Sequence, residues 1–112
     1  MVKISGQARR IRIYTGENSK LQGKPLYQAI VLKAKEMGMA GATVYRGIEG
    51  FGPSSRIKTS RLLDLSADLP ILIEIVDSTE YVELFLPFLE EVVTEGMITI
   101  EDVDLHRYGP KK

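Results

Sequence analysis

One stretch of this sequence limits its possible folds more than any other. Residues 69–76 form an almost continuous run of leucine, isoleucine and valine, interrupted by Pro70 and by a single charge at Glu74. A short apolar run of this kind is typical of a central strand whose two faces are both covered. The fold must therefore bring other parts of the molecule, or a second molecule, against each face of this strand.

The segment that follows Pro25 has the apolar spacing of an amphipathic helix. Proline is well suited to the first position of a helix, because its missing N–H would have no partner there. Gly38 or Gly41 is expected to end this helix. The buried stripe is predicted to consist of Leu26, Ile30, Ala34 and Met37.

A second helix is predicted directly after the apolar strand. Asp77 and Glu80 have the spacing of a capping box, and Gly96 marks the expected end. Pro87 lies inside this segment and should kink the helix at a cost of about 3 kcal/mol. The helix is still expected to continue, because its apolar stripe extends past the proline. That stripe consists of Val82, Phe85, Leu89, Val92 and Val93.

Strand patterns lie before and after each helix. Residues 9–15 alternate isoleucine with arginine and tyrosine, and residues 42–48 are rich in β-branched and aromatic residues. Residues 97–108 also alternate, with a slip at Glu101 and Asp102 that predicts a β-bulge. Four strands are therefore expected around the two helices.

The resulting order of elements is strand, helix, strand, long loop, strand, helix, strand. Two β-α-β units in this order predict a ferredoxin-like α+β sandwich with a long loop over residues 50–68. The helices should cover one face of the sheet, and the apolar residues of the other face predict an oligomer. The domain is expected to span residues 9–108, between an N-terminal extension (1–8) and a C-terminal tail (109–112).

Composition excludes several functions. Fifteen basic and fifteen acidic residues give a net charge of zero, which argues against general affinity for nucleic acids. There is no cysteine and one histidine, His106, so little chemistry of thiols, zinc or activated nucleophiles is available. No apolar run has the roughly 20 residues of a membrane-spanning helix. These features predict a cytoplasmic protein with no resident metal, and they exclude several classes of enzymatic reaction.

Three short stretches carry a resemblance to a known family. They are Tyr-Thr-Gly-Glu at 14–17, Gly-Lys-Pro-Leu-Tyr at 23–27 and Gly-Ala-Thr-Val-Tyr-Arg-Gly-Ile-Glu-Gly-Phe-Gly at 41–52. In their order and spacing the chain resembles the PII-like proteins of domain of unknown function 190, relatives of the nitrogen-regulatory PII signal proteins. The resemblance implies a homotrimer with an adenine nucleotide in each inter-subunit cleft. It also implies a mobile loop that contacts a partner protein, such as a membrane transporter or an enzyme.

The same resemblance implies particular ligand-binding residues. In PII proteins the nucleotide lies near a Gly-Phe-Gly motif, which matches Gly50, Phe51 and Gly52, and near residues that match Thr43 and Glu74. PII proteins also have a basic glycine-rich loop before the last strand, whereas residues 94–97 here are short and acidic. This difference favours AMP or ADP over ATP as the effector.

Several other residues are candidates for contacts with an anionic ligand. Four basic residues surround the glycine-rich loop and could neutralise a phosphate: Arg46, Arg56, Lys58 and Arg61. Lys24 lies at the start of a helix, where anions bind well, although it is not part of a P-loop motif. At the end of the first strand, Tyr14 and Glu17 are further candidates.

Two other functions are compatible with this fold. An acylphosphatase-like hydrolase would need an arginine-bearing anion loop with a positioned asparagine, and Asn18 is the only asparagine in the chain. An RNA-binding module would stack bases on aromatic residues of a basic sheet. The zero net charge and the incomplete aromatic motif argue against that module, so the hydrolase remains the alternative.

Overall fold

The computed structural model describes residues 6–53, 57–59 and 68–109. The helices in these ranges are α1 (Leu26–Glu36) and α2 (Thr79–Val92). The strands are β1 (Gly6–Gly16), β2 (Lys20–Leu21), β3 (Lys24–Pro25), β4 (Thr43–Arg46), β5 (Glu49–Gly50), β6 (Lys58–Thr59), β7 (Pro70–Asp77) and β8 (Met97–Leu105). Neither helix is long and apolar enough to cross a membrane.

The main sheet has the strand order β4-β7-β1-β8, and all of its neighbouring strands are antiparallel. This is the order expected of a ferredoxin-like sandwich, so the predicted fold class is confirmed. The apolar run of 69–76 forms the inner strand β7, between β1 and β4. Short hairpins, β2–β3 and β5–β6, lie in the segments that the sequence predicted as loops.

Both helices pack on one face of the sheet. The core contains three alternating isoleucines of β7 and the predicted stripes of α1 and α2. Its buried members are Ile11, Ile13, Leu26, Ile30, Ala34, Met39, Ile71, Ile73, Ile75, Val82, Phe85 and Leu89. Most of these side chains are less than 5% exposed, so the helix-covered face is sealed from water.

The first helix begins at Leu26, with Pro25 as the residue that caps it. It ends at Glu36, and Gly38 follows with a φ of +77°. Glycine adopts this left-handed conformation without steric cost, which explains the end of the helix. Of the two glycines that the sequence offered as a stop, Gly38 is the one used.

The predicted capping box at Asp77 is wrong. The cap of α2 is Ser78, whose hydroxyl accepts the N–H of Tyr81 at 3.3 Å. Asp77 is fully buried and accepts the N–H groups of Ala40 at 2.8 Å and of Ser78 at 2.7 Å. Its carboxylate therefore fastens the connection between α1 and β4 to the start of α2.

The second helix continues past Pro87, as predicted, but it ends at Val92 rather than at Gly96. The last strand has a continuous register through Glu101 and Asp102, so the predicted bulge is wrong. The alternation slips because the apolar side chains change faces along β8. Ile98 and Ile100 pack on the core, whereas Val103 and Leu105 lie on the opposite face.

The face of the sheet without helices is called the open face below. Four apolar or aromatic residues cross it in one row, in the order Met97, Tyr14, Leu72 and Tyr45. Three of them are exposed: Met97 at 52%, Tyr45 at 49% and Tyr14 at 36%. This row is the apolar surface that the sequence predicted would need a cover.

Candidate functional site

A cleft of about 560 Å³ lies at the end of the sheet where β1 finishes and where β7 and β8 begin. The residues that line it come from β1, the β5–β6 hairpin and the segments that precede β7 and β8. They are Tyr14, Thr15, Gly16, Ser19, Glu49, Gly50, Phe51, Gly52, Pro53, Lys58, Asp68, Pro70, Ile71, Glu95, Gly96 and Met97. Five predicted site residues are thus brought together: Tyr14, Gly50, Phe51, Gly52 and Lys58.

The Gly-Phe-Gly motif forms one wall of the cleft. Gly50 lies in β5 against Pro70, and a Cβ at Gly50 would be 3.0 Å from the proline Cγ. Phe51 is 72% exposed although it lines the cleft. The absence of a side chain at Gly50 lets the β5–β6 hairpin lie close to the start of β7, and this places the phenyl ring at the cleft.

Asp68 connects three parts of the cleft. Its carboxylate accepts the ammonium of Lys58 at 2.6 Å and the backbone N–H of Asn18 at 2.7 Å. It also packs directly on Gly16, where a Cβ would be 2.7 Å from Oδ1. Partial burial tends to raise the pKa of Asp68, but the bonds from Lys58 and Asn18 outweigh it and lower that pKa below its ordinary value.

Sequence reasoning missed Asp68. A charged residue just before an apolar strand is common, and nothing in its spacing distinguishes it. The signal that was available is topological: a residue that precedes an inner antiparallel strand must meet the end of the neighbouring strand. Here that neighbour is β1, which ends at Gly16.

The other side of the cleft is formed by the segment before β8. Gly96 has a φ of +147° and packs against the backbone carbonyl of Tyr14, where no Cβ would fit. Glu95, next to it, is exposed and lines the cleft. The predicted acidic segment of 94–97 therefore contributes to the cleft lining.

Other predicted site residues lie outside this cleft. Arg46 forms an ion pair with Glu17, with an N–O distance of 2.8 Å. Lys24 is exposed in β3, and Arg56 and Arg61 lie outside the described residues. Their roles as ligand contacts stay predictions.

Thr43 and Glu74 lie opposite each other on the open face, in neighbouring strands. Glu74 pairs with Arg12 at 3.1 Å, and Arg12 also contacts Glu101 at 3.3 Å. Hydrogen bonding from Arg10 and the charges of both arginines lower the pKa of Glu101. A charged row therefore lies beside the apolar row, and a ligand reaching Thr43 and Glu74 would approach from the open face.

Two solved proteins with a similar arrangement are PII-like. CPII from Thiomonas intermedia K12 is a nitrogen regulatory PII-like protein that was solved bound to ADP, AMP and bicarbonate. It matches over 90% of each chain with a TM-score of 0.62 and 19% identity. A putative PII-like signaling protein from Thermus thermophilus matches with a TM-score of 0.67 and 19% identity, over 90% of this chain and 91% of that chain. The fold is thus that of the PII-like proteins.

Sequence comparison narrows the class to a family. The model of DUF190, described as Uncharacterized ACR, matches residues 8–105. A UPF0166 protein of Aquifex aeolicus (strain VF5) is 40% identical over 97 residues, which cover 85% of this chain and 90% of the relative. A UPF0166 protein of Methanocaldococcus jannaschii is 36% identical over 102 residues, 90% of this chain and 94% of the relative. The chain belongs to the DUF190 family, which confirms the resemblance noted in the sequence.

Proposed function

We propose that this protein is a PII-like regulator that binds an adenine nucleotide in the cleft at the end of β1. It acts in the cytoplasm without catalysing a reaction, and it signals the bound state to a partner protein. AMP and ADP are the preferred effectors. Within one subunit the ligand contacts Tyr14, Gly50, Phe51, Gly52 and Lys58.

The observation that carries the proposal is the bend over Gly50, Phe51 and Gly52, which forms one wall of the cleft. The cleft volume of about 560 Å³ falls within the range of small-molecule sites. Phe51 offers an aromatic surface for a base, and Lys58, which pairs with Asp68 at 2.6 Å, is a cation in the cleft lining. CPII, which shares the fold, was solved with ADP and AMP, and this makes an adenine nucleotide the first ligand to test.

The open face supports a homotrimer. Its apolar row includes Tyr14 and Met97, which also line the cleft, so a second copy that covers this row would reach the edge of the cleft. In that assembly Thr43 and Glu74 of one copy would face the cleft of its neighbour. Further proposed contacts with the ligand or with the neighbouring copy are Arg46, Glu17, Lys24 and Arg61.

The β5–β6 hairpin is the proposed contact for the partner protein. Ile48, Phe51 and Ile57 flank its strands and are 77%, 72% and 69% exposed. Because Phe51 also lines the cleft, a bound ligand would change the surface that this hairpin presents. A membrane transporter or an enzyme is the proposed class of partner.

A hydrolase on the same fold is not favoured by the geometry. The guanidinium of Arg46, which such an enzyme would use on a phosphate, is held by the carboxylate of Glu17. Arg46 also lies outside the lining of the cleft. We expect the purified protein to show no turnover in a chromogenic phosphatase assay.

Calorimetric titration with AMP, ADP, ATP, cyclic nucleotides and S-adenosylmethionine tests the proposal. Phe51→Ala should weaken the best ligand by about tenfold, since stacking of a base on an aromatic ring stabilises by about 1–3 kcal/mol. Ile48→Ala is the matched control, because Ile48 is equally exposed beside the same strand but does not line the cleft. No heat with any of these ligands would contradict the proposal, as would a monomer in sedimentation velocity.

A further inference from the structure

The charges that line the cleft are unbalanced. Among the described lining residues Lys58 is the one cation, whereas Glu49, Asp68 and Glu95 are carboxylates. Lys58 is already paired with Asp68 at 2.6 Å. Among the lining residues that the structure describes, a ligand phosphate therefore meets more carboxylates than cations.

Two of these carboxylates occupy equivalent places in the topology. β7 and β8 flank β1 and begin at the same end of the sheet, with Pro70 opposite Gly16 and Met97 opposite Tyr14. Asp68 stands two residues before Pro70, and Glu95 stands two residues before Met97. Each carboxylate thus lies beside the end of β1, one on either side.

Close backbone packing holds both positions. Asp68 packs on Gly16, and Gly96 packs on the carbonyl of Tyr14, so the backbone next to Glu95 lies against the end of β1. Strands that flank a common neighbour lie about 10 Å apart. A phosphate chain at the end of β1 would therefore run between the two carboxylates.

We propose that Asp68 and Glu95 determine the specificity of the cleft by limiting the phosphate charge that a ligand can carry. This inference rests on the proposed binding of adenine nucleotides. Each added phosphate brings further negative charge between the two carboxylates, and like charges repel more strongly where water is partly excluded. Affinity falls in the order AMP, ADP, ATP for this reason.

The test is calorimetric titration of the full chain with adenosine, AMP, ADP and ATP, at low salt and without divalent cations. For the unmodified protein the ratio of the ATP to the AMP dissociation constant is expected to be about tenfold or more. Glu95→Gln should reduce that ratio about threefold, since Glu95 is exposed. Asp68→Asn should reduce it about tenfold, because that carboxylate is half-buried. Both variants should raise the affinity for ATP relative to that for AMP, whereas a general loss of structure would weaken the binding of all four ligands alike.

Glu91→Gln and Asp102→Asn are the matched controls. Glu91 lies near the end of α2. Asp102 lies in β8 and pairs with Arg9 of β1. Neither carboxylate lines the cleft. Both controls should leave the ratio as it is. Should Asp68→Asn fail to fold, the exposed Glu95 variant still decides.

Two results would overturn the inference while nucleotide binding stands. One is an ATP affinity of the unmodified protein equal to its AMP affinity, and the other is an unchanged ratio in Glu95→Gln. Absence of binding by all four ligands would instead overturn the proposed function together with this inference. Raising the salt to about 0.5 M should also shrink the ratio, since salt screens the repulsion.

Discussion

The two ends of β7 carry an aspartate each, and the two carboxylates do different work. Asp77, at the end of the strand, is fully buried and accepts two backbone N–H groups. Asp68, just before the strand, is partly exposed and pairs with the ammonium of Lys58. One end of the sheet is thus sealed by hydrogen bonds, whereas the other end keeps its charges within reach of a ligand.

The surroundings of the two carboxylates predict which substitutions should change stability and which should change ligand binding. A buried carboxylate that satisfies backbone donors cannot be removed without leaving those donors unpaired. A half-exposed ion pair contributes less, because water and salt screen it. Removal of the Asp77 carboxylate should therefore lower stability, whereas removal of the Asp68 carboxylate should alter ligand binding more than stability.

The largest effect is expected for Asp77→Ala. The N–H groups of Ala40 and Ser78 would lose their acceptor, which should lower the unfolding free energy by about 3 kcal/mol. Urea denaturation at one protein concentration measures the loss. Asp102→Ala, at an exposed site, should change stability by less than about 0.5 kcal/mol. A loss below about 1 kcal/mol for Asp77→Ala would show that its two hydrogen bonds do not stabilise this end of the sheet.

Gly96→Ala is expected to be the next largest effect, and it tests the packing of the cleft end. The new Cβ would meet the carbonyl of Tyr14, and the φ of +147° disfavours any L side chain. A loss of about 2 kcal/mol follows from this strain. Gly41→Ala is the control, since no heavy atom lies within 4 Å of its Cβ position. Equal stability of the two variants would contradict the described turn into β8.

The smallest effect is the pH dependence caused by Asp68. Because Lys58 and the N–H of Asn18 lower the folded-state pKa of Asp68, the ionised form stabilises the fold. This contribution is present above the unfolded-state pKa of about 4 and is lost as the pH falls through the lower folded-state value. Asp68→Asn should therefore be less stable than the unmodified protein at pH 7, by about 1 kcal/mol.

The difference between Asp68→Asn and the unmodified protein should shrink as the pH is lowered from about 4 to 2. Thermal denaturation across this range measures it, with Asp102→Asn as the control. A difference that stays constant with pH would show that the Asp68 carboxylate does not stabilise the fold through its charge.

The sequence predicted the fold because its main signals are repeated and local. The isoleucines of β7 and the stripes of both helices have a clear period, and each stripe packs on the core as expected. Single-residue details were less accessible. Ser78 rather than Asp77 caps α2, because the Asp77 carboxylate accepts the backbone N–H of Ala40, which lies 37 residues away in the chain. Local spacing carries no information on such a contact.

Only part of the candidate site could be predicted, because local motifs are visible in a sequence and long-range contacts are not. The Gly50-Phe51-Gly52 motif is local and was recognised, whereas Asp68 and Glu95 gain their positions from strand pairing. The slip in β8 was misread because a change of face in the apolar residues produces the same pattern as a bulge. The strand register distinguishes a bulge from a change of face, and the sequence alone does not give that register.

Binding of AMP in the cleft at the end of β1 can be located by NMR, from the amide chemical shifts that change during an AMP titration. The largest shifts are predicted at Gly16, Gly50, Gly52 and Gly96, whose backbones line the cleft. The amides of Ala40 and Ser78, at the sealed end, should not move. Chemical-shift changes concentrated at the sealed end, or no changes at millimolar AMP, would contradict binding of AMP in this cleft.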